Sequence, residues 1–178
     1  MHCSQFVQRT CAIIALAIGL AGSAAAERGP ATPEERARVV QLAAAANQDP
    51  VGVMTSADGR WFMKWSDEVP DYMFGPDKGA FWMDGGAAKG DLRRVLRFHH
   101  MLSTAAYQVQ HQILDPEKDA ATLEAKTIAG VDGLLHAYES LKDKRAENRS
   151  EALDQAIAMR DQGKLAAFVQ SLPPAPKR

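Results

Sequence analysis

The chain has 178 residues, 46% of them hydrophobic and 24% charged, with 21 basic residues against 22 acidic ones. That length is enough for one hydrophobic core. The near-neutral balance argues against a surface built for nucleic acid or for an anionic membrane.

Residues 1–26 have the layout of an export signal. Arg9 precedes a short apolar run over 11–21, and Ala24-Ala25-Ala26 supplies the small residues a signal peptidase needs. Cleavage is expected after Ala26, so that the mature chain starts at Glu27. A membrane-spanning helix wants about 20 apolar residues and this run is roughly half that, so no membrane span is expected after cleavage. Both cysteines, Cys3 and Cys11, would leave with the signal. The remaining domain, residues 27–172, would then carry no thiol, disulfide or cysteine metal ligand in an oxidising compartment, and packing alone must hold it. Loss of Arg9 lowers the basic count from 21 to 20 against 22 acidic residues, a formal charge of −2.

The first helix is expected from Thr32-Pro33-Glu34-Glu35, where Thr32 caps, Pro33 suits the first helical position and Glu35 completes a capping box. Val39, Val40, Leu42, Ala43 and Ala46 give its apolar stripe, and Asn47 with Asp49-Pro50 ends it. Ser56 caps a second helix over 57–69, in which Trp61, Phe62, Trp65 and Val69 share one face before Pro70. A third helix is expected over 91–114, with Leu92, Val95, Leu96, Leu102, Ala106, Val109 and Ile113 at helical period. Asp115-Pro116 is expected to break it and to cap a fourth, running to 142, with Leu134, Leu135, Tyr138 and Leu141 inward. Gly130 and Gly133 lie on its flank, where small residues admit a close neighbour at a cost of roughly 1 kcal/mol each in helix propensity. A fifth helix carries Leu153, Ala156 and Ile157, Gly163 caps it, and Leu165, Phe168, Val169 and Leu172 form a last short turn. Residues 173–178 read as a disordered, Pro-rich tail. Strand-type alternation is missing, so the fold class is all-α: a single-domain bundle of about five helices with an irregular aromatic and Gly-rich connection.

Histidine chemistry is constrained by spacing. A zinc site on one helix wants ligands at i and i+3 or i+4. His99 and His100 diverge by about 100°, and His100 and His111 share a face but stand roughly 16 Å apart at 1.5 Å per residue. No metal or cofactor is expected. His99, within the apolar stripe, reads as a hydrogen-bonded core histidine, and His136 as the one residue of the next helix that could join a site. His100, Thr104, Tyr107 and His111 follow at steps of four, three and four. They form either the polar rim of a ligand groove or the ordinary edge of an amphipathic helix. The adjacent carboxylates Asp67 and Glu68 diverge too far for paired acid–base work.

Residues 71–90 stand apart. They are Gly-rich yet carry Tyr72, Met73, Phe74, Phe81, Trp82 and Met83, a composition suited to an adaptable binding surface or to a lid folded back over the core. Tyr72, Phe74, Phe81, Trp82, His100, Tyr107 and His111 are therefore the candidate ligand- or partner-binding residues, and no catalytic residue is assigned.

Lys64-Trp65, Glu68-Val69-Pro70-Asp71, Ala105-Ala106-Tyr107-Gln108 and the run from Ala129-Gly130-Val131-Asp132-Gly133 to His136-Ala137-Tyr138-Glu139 resemble a group of small exported bacterial helical proteins with no assigned activity. The resemblance spans residues 57–169, and the Gly-rich stretch over 84–90 departs from the group's more apolar one. It implies export and a helical fold, and carries over no site residue. The expected function is non-enzymatic periplasmic binding, of a protein partner or a small apolar ligand, through residues 71–90. The alternatives are an envelope enzyme with a His/Tyr site on the third helix, or a structural, stress-protective helical protein.

Overall fold

The computed structural model describes residues 28–74 and 88–173, and over these the fold is all-α. Residues 1–26, expected as an export signal, the aromatics Phe81 and Trp82, and all of the tail but Pro173 lie outside the described residues. The helices are α1 (Pro33–Ala46), α2 (Pro50–Thr55), α3 (Ala57–Glu68), α4 (Gly90–His111), α5 (Ala120–Leu141), α6 (Glu151–Asp161) and α7 (Leu165–Ser171). A single 3-10 turn, Ala146–Asn148, joins α5 to α6.

Local chemistry sets the helix ends. At α1 the Glu35 amide donates to Thr32 Oγ1 at 3.2 Å and the Thr32 amide donates to Glu35 Oε2 at 2.9 Å, a complete capping box. The same logic begins α2, at residues expected only to stop α1. Asp49 accepts from the Gly52 amide at 2.9 Å and Pro50 occupies the first helical position. Six residues are too few to show a period, so this helix is legible only in its cap. It raises the number of helices above the expected five, as does α7, the expected last turn.

Two boundaries between α4 and α5 also differ from expectation. Gln112 adopts φ 54°, ψ 39°, and the Ile113 amide donates to the Gln108 carbonyl at 2.9 Å, closing α4 in a Schellman-type turn. Ile113 and Leu114 therefore leave the helix, and Leu114 is exposed. Asp115 does not cap α5, because its carboxylate accepts from the nearby Glu117 amide at 3.1 Å in a local turn. Asp119 is the cap, accepting from the Thr122 amide at 2.8 Å.

Helix α4 is the spine, and its partners divide along its length. Among the described residues, one hydrophobic cluster joins its N-terminal half, through Leu92, Val95 and Leu96, to α5, α6 and α7. Another joins its C-terminal half, through Phe98, Leu102 and Val109, to α1 and α3. Leu102 and Leu135 are both buried, one in each cluster. The α4–α5 pair is the most extensive packing, and it is close because α5 offers glycines. A Cβ on Gly130 would stand 2.9 Å from His100 Nε2, and one on Gly133 would fall inside contact distance of Ser103 Oγ and Cβ.

Buried polar groups fix two of the connections. Tyr138 is fully buried; its hydroxyl accepts from the Ser150 amide at 2.8 Å and faces the Asp154 carboxylate at 3.2 Å, fixing the turn before α6. His99 is 1% exposed and its Nε2–H donates to the Pro50 carbonyl at 3.0 Å, holding α2 against α4. That is the hydrogen-bonded core histidine the sequence suggested.

Burial holds the His99 ring below its ordinary imidazole value, with the Pro50 carbonyl opposing in part. The unfolded chain therefore takes up a proton below about pH 6.5 that the folded chain resists. Stability contributed by neutral His99 is complete above that value and is lost as pH falls through the window beneath it. Urea midpoints measured at about pH 7.5 and about pH 5.5 should fall more for the wild type than for His99→Gln. Equal acid sensitivity in both would remove His99 from the account.

Candidate functional site

The described candidate residues fall into different environments. Tyr72 is buried and Phe74 partly so, and both pack on Trp65, with ring centroids 6.2 and 5.6 Å away. They are held there by the backbone around them: Asp71 Oδ1 accepts from the Ala31 amide at 3.0 Å, and Gln108 Nε2 donates to the Met73 carbonyl at 2.9 Å. The described start of the 71–90 segment is thus folded back onto the core, and Met73, between the two rings, faces solvent.

The polar row on α4 spirals from inside to outside. His100 and Thr104 are buried against Gly130 in the α4–α5 seam, where Lys126 and Thr127 are buried as well. Tyr107 is half-buried, and His111 is exposed with its ring 4.3 Å from that of Tyr107. The row does not converge on one point. Tyr107 lines a cavity.

That cavity is an open groove of about 300 Å³ where α1, α4 and α5 meet. Its floor is made of small residues, Ala43, Ala106, Ala129 and Gly133, which keep the helices close and leave space above them. Its rim is polar: Asn47 from α1, Tyr107 and Gln110 from α4, Asp132 and His136 from α5. His136 sits between two carboxylates on its own helix, with Nε2 3.6 Å from Asp132 Oδ2 and Nδ1 3.9 Å from Glu139 Oε2. Glu139 is in turn bound by Arg160 of α6 at 2.8 Å. The spacing i, i+4 and i, i+3 puts these groups on one face of α5, and it orients the imidazole along the groove wall.

Chemically the groove offers an apolar bed one side chain deep, an aromatic edge, two carboxamides and a histidine flanked by acids. Ser103 also lines it. Both His136 nitrogens face carboxylates, so the ring is held by acidic partners at each end. Among the described residues no three His, Asp or Glu side chains gather as a metal-binding group. In the sequence His136 stands out only as a possible metal partner, and Asn47, Gln110 and Asp132 are not among the expected site residues. The i, i+4 pair Asp132/His136 beside Gly133 was the available signal.

No family model, no curated protein and no solved structure matches the chain.

Proposed function

We propose that this is an exported, non-enzymatic binding protein, and that the α1–α4–α5 groove holds a small organic ligand. The observation carrying the reading is the graded lining of that groove: small apolar residues beneath, and Asn47, Tyr107, Gln110, Asp132 and His136 around the edge. Ligand sites combine an apolar bed with a few placed polar groups, and about 300 Å³ is the lower end of the volume they occupy. Of the expected 71–90 site, Tyr72 and Phe74 pack against Trp65 and Phe81 and Trp82 lie outside the described residues, so the reading rests on this groove. Export rests on the charged, apolar and small-residue layout of residues 1–26. No helix among the described residues is long and apolar enough to cross a membrane.

Protein recovered from a periplasmic fraction should begin at Glu27 by intact mass and should release a small molecule on denaturation. His136→Ala removes a rim group from an exposed position, and Ala44→Leu adds bulk at an exposed part of the wall. Both variants should keep their unfolding midpoints, within about 0.5 kcal/mol, and lose the released molecule. Retention of the same molecule by both variants would refute the groove. Turnover of the released molecule by the wild type, abolished in His136→Ala, would replace binding by catalysis.

A further inference from the structure

A second groove, of about 450 Å³, opens where α2, the first turns of α4 and the end of α5 meet, and nothing above assigns it a role. Its floor is Met54, Leu92, Val95 and Leu141, and Val51, 40% exposed, forms an apolar lip. The polar edge carries Arg94, Lys144 and Arg145 against the single carboxylate Asp91. Arg94 is paired with that carboxylate at 3.1 Å and Arg145 faces Glu147 at 3.7 Å, while Lys144 makes no ion pair among the described residues. The whole chain has a formal charge of −1, so this basic edge is local and does not reflect a generally cationic surface.

An apolar trough beside a cationic rim complements one kind of occupant. We infer that this groove binds a single-chain amphiphile with an anionic head, its tail along Val51, Met54 and Leu92 and its head at Lys144 and Arg145. The tail's own apolar surface leaves water there, and on the protein the surface covered is that of Val51 and Met54, since Leu92, Val95 and Leu141 are only 5%, 4% and 6% exposed. The rim attracts the head and repels a cationic one of equal length. A volume of about 450 Å³ lies within the range of small-molecule sites, about 300–1,000 Å³, and holds one chain, not a bilayer patch.

The test is calorimetric titration of the full mature protein with sodium dodecanoate below its micelle concentration, beside dodecyltrimethylammonium as the charge-reversed probe. Dodecanoate should bind and weaken as salt is raised, and the trimethylammonium compound should not bind measurably. Lys144→Glu with Arg145→Glu, both exposed, should weaken dodecanoate roughly tenfold or more. Val51→Asp should abolish binding, while Ala44→Leu, in the other groove, should leave it unchanged. Equal binding of both probes, indifference to the charge reversal, or binding only to anionic vesicles would each overturn the inference. The Ala44→Leu arm separates its failure from failure of the first groove.

Discussion

Trp65→Ala is expected to remove about 3–5 kcal/mol of stability, a large part of the roughly 5–15 kcal/mol a domain of this kind has in total. The indole is 2% exposed and is the centre of an aromatic group. Trp61 and Phe62 each lie 6.0 Å from it on the same helix, and Tyr72 and Phe74 lie 6.2 and 5.6 Å away from the following segment. Phe62 extends the group to α4 through an edge-on contact with Phe98 at 5.7 Å. Removing the central ring leaves a cavity whose neighbours are held by three separate elements and cannot all collapse into it. The loss should be read as a lowered urea midpoint at unchanged slope. Trp61→Ala is the control. That ring is partly exposed and covered by the Arg38 guanidinium at 4.0 Å, a contact worth about 0.5–1 kcal/mol at such a site. A Trp65→Ala loss no larger than that of Trp61→Ala would mean that α3 is not anchored by this cluster.

Gly133 carries the second large effect. In an isolated helix, glycine to alanine gains roughly 1 kcal/mol of propensity. Here Gly133→Ala is expected to destabilise by about 1–3 kcal/mol in spite of that gain, because the added methyl meets Ser103 Oγ and Cβ across the α4–α5 interface. The Ser103 Cβ is fixed to its helix, so rotation of the hydroxyl does not relieve the overlap and the helices must part. Gly133→Leu should cost more and should fill the groove floor. Ser103→Gly in the Gly133→Ala background should recover most of the loss, a coupling measurable by a double-mutant cycle of urea midpoints. A stabilised Gly133→Ala protein would show that α5 can move away from α4 without cost.

The helical faces were legible because each follows one period. Val39 and Leu42, Phe62 and Trp65, Leu92, Val95 and Leu96, and Leu134 with Tyr138 all lie inside as the spacing required. Caps were legible where side chain and backbone compete within four residues, as at Thr32, Ser56 and the glycine Gly163, whose φ is +69°. They were misread where two acidic signals compete. Asp115 and Asp119 both suit a helix start, and the local turn in which Asp115 accepts from the Glu117 amide leaves Asp119 to cap. Asp49-Pro50 likewise reads as a stop or a start, and a helix as short as α2 has no stripe to choose between them.

The candidate site divides in the same way. That His99 belongs in the core and that His100 and His111 cannot share a metal followed from helical geometry alone. That Tyr107 and His136 line one groove did not, since the two are on different helices. Their presence in one groove depends on Gly133 letting α5 close on one side of α4 and on α1 packing along α4 on the other. Tyr72 and Phe74 belong to a segment whose glycines impose no face, and their rings are drawn inward by Trp65, the Asp71–Ala31 bond and the Gln108–Met73 bond.

By itself, then, the sequence determined the all-α class, the inward face of each long helix and the export expectation. These follow from side-chain periodicity and short-range hydrogen bonding, which act within a few residues. The tertiary structure alone decided which helices meet, where α4 changes partners, and which polar side chains reach a groove. Those outcomes depend on steric fit between residues far apart in the chain, such as Ser103 against Gly133, and no local pattern encodes that fit.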